Sequence, residues 1–459
     1  MTFGSGRYSQ QSATGEPSLK RKAFGAAGWN LSQTAAQYAF RLGSNLIMTR
    51  LLMPEAFGLL AFATTVITAL TLFTDIGINQ SIVREKDGED PHFLRVAWTV
   101  KIIRSLVISG GVVIAGFLIA LLAPHFAPPN TVYADPRMPL LVALTSITTL
   151  MQGLTSTNMD AASRRMDYRI YSFTVVGAQV MSIITMICFA LVSPTVWALL
   201  AGMLSNNIYM CIFSHVAMPG PRMKLVWDKE IVDRLWHYGK WIILSSTFTF
   251  IQSSADKFLL GALLSSTVFG LYVIAQIWAG SARNIVQLLA TRIGFPAVSE
   301  VLRTRPHDLG RVYRKFQNII DLICVGGFLS LFFGSTILIG LLYTAHYQGA
   351  AHYMALMSIA VLAARFELTN HLLASVGDSR SMTVVSFTRA AGLLVLLPLA
   401  NMLGGIDGVV LAVSLIPALG VPYALKKLVP VLGKQQVRIE LFWLIATISA
   451  SAVIYILVH

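Results

Sequence analysis

Runs of about 20 apolar residues, long enough to cross a hydrocarbon layer as helix, recur along almost the whole chain. Lipid offers the backbone no hydrogen-bond partner, so each run must satisfy its own N–H and C=O groups as an α-helix. Helices are expected at roughly 24–51, 57–82, 96–123, 139–162, 169–192 and 196–218, then at roughly 240–264, 268–292, 317–342, 350–376, 380–403 and 407–427. A further apolar segment at 440–458 makes thirteen, within a range of 12 to 14. With 55% hydrophobic and 12% charged residues, and mean hydropathy +0.67, the chain reads as an all-α polytopic membrane protein. No stretch is long and polar enough to build a soluble catalytic domain.

A repeat divides these helices into two sets. Leu51-Leu52-Met53-Pro54-Glu55-Ala56-Phe57-Gly58-Leu59 returns 212 positions later as Leu263-Leu264-Ser265-Ser266-Thr267-Val268-Phe269-Gly270-Leu271. The same offset carries the polar stripe Gln33, Gln37, Arg41, Ser44, Asn45 onto Ser245, Thr249, Ser253, Asp256, Lys257. It also carries Thr64, Thr68, Thr71, Asp75, Asn79 onto Gln276, Gly280, Arg283, Gln287, Thr291. Steps of three and four place each set on one helix face. Two pseudo-symmetric six-helix bundles around a central polar cavity are therefore expected, at 23–218 and 240–428, with 429–459 as a basic loop and extra helix. Hydroxyls in such stripes also serve as hydrogen-bond glue between packed membrane helices; the charged members favour a cavity.

The net charge of +14 would suit nucleic acid in a soluble protein, but here 26 of the 35 basic residues fall in segments of one side. Only Arg50 and Arg137 lie on the other. That bias places the N-terminus in the cytoplasm and leaves no call for a nucleic-acid partner. Residues 1–22, ending Lys20-Arg21-Lys22, read as a disordered cytoplasmic tail. Residues 219–239 mix Leu225, Val226, Ile231, Val232, Leu235 and Trp236 with charges, the pattern of an amphipathic linker helix lying along headgroups. Cys188, Cys211 and Cys324 fall in apolar helices without metal or disulfide spacing.

Seven basic residues lie inside helices: Arg41, Lys101, Arg104, Lys257, Arg283, Arg365 and Arg389. Lys101 and Arg104 come within about 8–12 Å of a helix start and are expected to snorkel. The other five lie deeper, against Asp256 and Glu367 only. An isolated buried charge is too costly, so those without a carboxylate must be hydrated or must meet an anion. A cationic cavity lined by Arg41, Lys257, Arg283, Arg365 and Arg389, with Gln37, Gln252 and Gln276, is the expectation. Glu367, Asn370 and His371 share a face, and a carboxylate with a histidine suits proton coupling. Asp256 beside Lys257 is the other coupling candidate, with a local ion pair as the structural alternative, and Asp75 near a helix end is a gating candidate. The coupling ion, H+ or Na+, stays open; no cofactor or metal is expected.

Three stretches carry a resemblance: Arg50 through Leu60, Asp75-Ile76-Gly77-Ile78-Asn79-Gln80-Ser81-Ile82-Val83-Arg84, and Ala255-Asp256-Lys257-Phe258-Leu259-Leu260-Gly261. The chain resembles, over residues 24 to about 428, the oligosaccharide flippases or polysaccharide (O-antigen) exporters of the multidrug/oligosaccharidyl-lipid/polysaccharide transporter superfamily. The resemblance implies alternating access in a bacterial inner membrane and a lipid-linked oligosaccharide, carried on undecaprenyl pyrophosphate, as substrate. It implies membrane lipids and other polysaccharide assembly proteins as partners, and pyrophosphate or acidic-sugar contacts for Arg41, Lys257 and Arg283. Thirteen helices depart from the twelve or fourteen common in such relatives. The alternatives are a cation-coupled drug exporter, which would want an acidic interior, a membrane polymerase or ligase, which would want a larger outer loop than Pro124 to Pro139, and a scaffold for a biosynthetic complex, which would leave the interior charges unexplained.

Overall fold

The computed structural model describes residues 19–165, 168–376 and 379–458. The tail expected over 1–22 thus lies almost wholly outside the described residues, and its end already belongs to the first helix. The first half comprises α1 (Leu19–Leu51), α2 (Pro54–Phe73), α3 (Ile78–Arg84), α4 (Pro91–Phe126), α5 (Met138–Leu154), α6 (Asn158–Arg165), α7 (Tyr168–Val192) and α8 (Val196–Val216). The second comprises α9 (Lys229–Leu263), α10 (Ser266–Leu289), α11 (Phe295–Thr304), α12 (Leu309–Leu342), α13 (Ala350–Ala363), α14 (Glu367–Ser375), α15 (Ser379–Leu415), α16 (Val421–Leu432) and α17 (Lys434–Val458). No strand occurs among the described residues.

Several of these are pieces of one rod. A π-helical turn, Ala290–Gly294, joins α10 to α11, and a 3-10 turn, Ala364–Phe366, joins α13 to α14. Gly405 (φ 58°, ψ −145°) breaks α15 into two rods in a conformation that side chains disfavour. Among the described residues nine helices are long and apolar enough to cross a membrane, ten if the bent pair α5 and α6 counts as one. Helices α1 and α9, 33 and 35 residues long, are less apolar because they carry the polar stripes. If α1 and α9 are counted as passages and the Arg380–Leu432 stretch is divided at Gly405, the described residues accommodate the thirteen helices read from the sequence.

The repeated frame is where the halves meet. Helix α2 packs on α4, α5 and α8 in its own half and on α9 and α10 in the other. The two Phe-Gly steps cross in backbone contact: a Cβ on Gly58 would lie 2.4 Å from the Ser266 carbonyl oxygen, and one on Gly270 would lie 1.9 Å from that of Pro54. Only glycine permits that approach. The copies start their helices by different devices, Pro54 at the first turn of α2 and the Ser265 side chain accepting from the Val268 N–H in α10. Beside the crossing, the Val132 N–H donates to the Leu264 carbonyl at 3.0 Å and the Tyr347 hydroxyl to that of Leu52 at 2.7 Å. Leu59 and Phe62 of α2 share one apolar core with Phe269, Tyr272 and Ile274 of α10.

The linker differs from expectation. Residues 219–228 are irregular, and no separate helix lies along headgroups: 229–239 form the opening turns of the unbroken α9. Asp228 caps this helix by accepting from the Glu230 and Ile231 N–H groups, and no proline interrupts it. Ile231 and Leu235 are buried with Ile82 and Phe93 of the first half, while Trp236 and Trp241 stay exposed. Gly239 lies against Ile76, and Ser246 Oγ donates to Asp75 Oδ2 at 3.1 Å. Helix α9 therefore leans on both halves.

Gly270→Ala should destabilise the purified protein by about 1–3 kcal/mol, the range for forced overpacking, because the obstacle is backbone. Gly280→Ala, with open space around its Cβ position, should leave the thermal midpoint unchanged or raised.

Candidate functional site

Two adjoining chambers open along the polar stripes. The larger, about 570 Å³, lies in the second half, lined by α9, α10, the α13–α14 rod, α15 and the turn after it. The smaller, about 300 Å³, lies between the halves, lined by α1, α2, α9 and α10. Lys257, Gln276, Gly280 and Asn284 border both.

The stripes place the charges. In the larger chamber Thr249, Ser253 and Lys257 come from α9, and Gln276, Gly280, Arg283 and Gln287 from α10, spaced at one-turn intervals. Gln252, Asp256, Glu367 and Arg389 complete its polar wall. Thr64 and Thr68 of α2 and Arg41 of α1 line the smaller one. Of the residues expected in the cavity, Arg41, Lys257, Arg283, Arg389, Gln252 and Gln276 are there. Gln37, one turn before Arg41, is half-buried and lines neither chamber. Part of the α1 stripe is turned to packing instead: Gln33 accepts from the Ser172 hydroxyl of α7 at 2.9 Å, Ser44 donates to the Arg41 carbonyl of its own helix at 3.1 Å, and Asn45 is buried.

The cations differ in how they are held. Arg389 donates through Nε to the Leu419 carbonyl at 3.2 Å and through Nη2 to that of Pro417 at 2.7 Å, groups exposed where the helix breaks before α16. Lys257 reaches only the Ser253 carbonyl, at 3.4 Å. Among the described residues Arg41, Lys257 and Arg283 form no ion pair. Asp256 and Lys257 do not pair: Asp256 is buried and accepts from the Tyr272 hydroxyl and, at 3.4 Å, from Gln276 Nε2. Four cations therefore face two carboxylates, in chambers whose remaining walls offer hydroxyls and carboxamides. The chemistry of such a lining suits a polyhydroxylated anion.

Arg365 is a correction. It is fully buried outside both chambers, donating through Nε and Nη2 to Asp321 at 2.8 and 3.0 Å and through Nη1 to Glu440 at 2.8 Å. Its neighbour by two, Glu367, points into the chamber, so the 3-10 turn sends successive charges to opposite sides. Asp321 and Glu440 were missed because each lies near the expected start of a helix, where charge is commonplace. His371 lines neither chamber; it packs on Phe295 at 5.8 Å with its Nε2 unpartnered, one turn from Glu367 on α14. Asp75 lines no chamber: besides Ser246 it lies 3.7 Å from Arg104, which also donates to the Thr71 carbonyl at 2.7 Å. Lys101 sits 3.5 Å from Asp160, so both supposed snorkelling residues are paired instead.

Beside the Gly58–Gly270 crossing is a polar lock. Arg137 holds Asp135 at 2.8 Å and Glu55 at 3.1 Å, and the Ser266 hydroxyl of the other half donates to Asp135 at 3.3 Å. Burial alone would raise the Asp135 carboxyl, but the Arg137 guanidinium and N–H outweigh it and hold the carboxyl below its ordinary value.

Residues 47–352 match the family model described as polysaccharide biosynthesis protein. The succinoglycan biosynthesis transport protein ExoT of Rhizobium meliloti (strain 1021) is 22% identical over 279 residues, 61% of this chain. The match spans about half, 54%, of that protein. Among solved structures, the lipid II flippase MurJ in an inward closed conformation superposes with TM-score 0.66 at 14% identity, covering 93% of this chain and 98% of that one. An inward-facing multidrug resistance MATE family transporter of the MOP superfamily gives 0.61 at 12% identity, covering 86% and 95%. At those identities the likeness is one of fold: two related helical halves around a cleft.

Arg365→Met should cost about 3–5 kcal/mol of stability by stranding buried carboxylates, whereas Arg283→Met, beside a hydrated chamber, should stay within about 0.5 kcal/mol. Thermal unfolding of the two purified variants separates scaffold arginine from chamber arginine.

Proposed function

The chain belongs to the polysaccharide biosynthesis protein family, and on that premise we propose that it is a flippase moving undecaprenyl-pyrophosphate-linked oligosaccharide across a bacterial inner membrane. The observation that carries this is the pair of chambers with unpaired Arg41, Lys257 and Arg283 set among hydroxyls and carboxamides. A pyrophosphate needs cationic partners, a saccharide needs hydrogen-bonding walls, and a polyprenyl tail can remain in lipid. A drug exporter selecting cations would be opposed by the same lining. No bond need be broken, so the protein acts as a transporter rather than an enzyme, with the lipid-linked saccharide as its partner.

In this reading the basic residues place the N-terminus in the cytoplasm, which puts the Gly58–Gly270 crossing on the outer side. The structure is then a form closed outward by that crossing and by the Arg137 lock. Opening outward requires the Ser266–Asp135 bond and the glycine contact to separate, while α9, held by both halves, is the element across which they rotate. Because Arg137 depresses the Asp135 carboxyl, the lock's contribution is complete above the ordinary carboxylate range and is lost only as pH falls through the lowered value. Ordinary periplasmic pH therefore does not release it.

Arg41→Ala and Arg283→Ala should accumulate normally in the membrane yet reduce polysaccharide export at least tenfold, the loss of roughly one charge-assisted hydrogen bond to the anion. In cells depleted of the protein, complete lipid-linked oligosaccharide should accumulate where an impermeant reagent cannot reach it in intact spheroplasts; complete units exposed outside would overturn the flippase reading in favour of a polymerase or ligase. Asp135→Asn should increase labelling of a cysteine placed at Gln276, in a background free of Cys188, Cys211 and Cys324, by an impermeant thiol reagent added outside. Unchanged labelling would remove the lock from the cycle.

A further inference from the structure

The buried cluster around Arg365 has one cation and two acids. Glu440 of α17 is fully buried, as is Arg365, and Asp321 of α12 keeps 14% of its side chain exposed. The surrounding elements add no further charge among the described residues. On α12, Tyr313 shares a hydrogen bond with Thr369 at 2.9 Å, Cys324 is a buried thiol, and Arg314 is exposed, reaching only Gln436 Oε1 at 2.8 Å. Arg438 of α17 and Lys426 and Lys427 of α16 are exposed, and on α14 Glu367 belongs to the chamber and His371 to Phe295.

A second observation points to a missing ligand. Gln317, 2% exposed, donates through Nε2 to Asp321 Oδ1 at 2.9 Å and to the Arg365 carbonyl at 3.1 Å, yet its Oε1 is buried without any donor. With both carboxylates ionised, the cluster would seal a net charge of about −1 in a low-dielectric interior, beside an acceptor that lacks a hydrogen. A metal cation on these oxygens would sit against the guanidinium. A proton fits: it neutralises the excess charge and turns one carboxylate oxygen into an O–H donor in a cluster that holds an acceptor without one.

We propose that Asp321 and Glu440 share one exchangeable proton across Arg365, and that this cluster, apart from the sugar-lipid chambers, is where the chain takes up and releases a proton in its cycle. The proton comes from water through the exposed edge of Asp321, is held as a carboxylic acid O–H, and returns to water. Its presence decides how tightly Arg365 is held. Arg365 lies in the 3-10 turn where the α13–α14 rod changes pitch, two residues from chamber-facing Glu367, so the proton acts on the backbone that places a chamber residue. The role in a cycle rests on the transport reading; the proton site does not.

The test uses the purified full chain without substrate, so its outcome is independent of whether the protein is a flippase. Thermal stability is followed from acid to alkaline pH in sodium and in choline buffers, and the infrared carbonyl band of protonated carboxyl is recorded at neutral pH. The folded chain holds a proton that free carboxylates have released at neutral pH, so wild-type stability should fall as pH rises. The unfolding equilibrium should shift by about tenfold per pH unit until the proton leaves. Glu440→Gln, which mimics the protonated acid, should match wild type at low pH, lose that slope, and lose the infrared band. A flat wild-type profile with Glu440→Gln weaker at every pH would mean a permanent ion network and would overturn the proposal. So would stabilisation by sodium at fixed pH, which would make the site metal-binding. If Glu440→Gln does not fold, Asp321→Asn and the wild-type band carry the same decision, and a wild type without the band overturns it.

Discussion

A charge in a slab of hydrocarbon must be paired or wet, and that constraint sorts the molecule. Arg365 is paired, Lys101 and Arg104 are paired, and Arg389 is stapled to carbonyls left free by a helix break. Arg41, Lys257 and Arg283 are left on polar walls. The same demand shapes the helices: α1 and α9 are the least apolar of the long rods because each lends a face to water.

The glycine crossing is the geometric counterpart. Bringing α2 and α10 into backbone contact at Gly58 and Gly270 sets the two halves at a fixed point near one end. The stripes that follow along each helix are thereby aimed at a shared space. The contact is small and made of backbone, with the Arg137 lock beside it, so it can part without dismantling either half. Helix α9 supplies continuity at the other end through Gly239, Ser246 and its capped start at Asp228. Closure at one point and an unbroken rod beside it are what a rocking pair of halves requires.

The second half is built more elaborately than the first. It has a π-helical turn in α10–α11, a 3-10 turn in α13–α14, a glycine break in α15 and the additional helix α17. The α17 helix is tied in by Glu440 and Gln436, charge and carboxamide buried together, and so is part of the lobe's interior. The larger chamber sits in this half, and its wall includes Glu367, directly after the 3-10 turn, and Ile416 and Pro417 in the turn that follows α15.

Much of this was legible in the chain. Apolar runs could only be helices, the repeat at 212 positions marked two halves, and the three- and four-residue steps on α9 and α10 named the chamber wall, because helical period is a local property that packing does not change. What the sequence alone could not decide was which partner a charge meets. Arg365 looked like Arg283 in one dimension; Asp321 and Glu440, 44 and 75 residues away, made it scaffold. His371 was one turn from Glu367 on a regular helix and still lined no chamber, because it packs on Phe295, a neighbour that only the packing of α11 against α14 supplies. The linker drawn as a separate amphipathic helix became the start of α9, since Ile231 and Leu235 found apolar side chains of the first half instead of headgroups. Local hydrogen bonding and hydropathy are written along the chain, whereas the pairing of buried charges depends on distances that only the packed helices set.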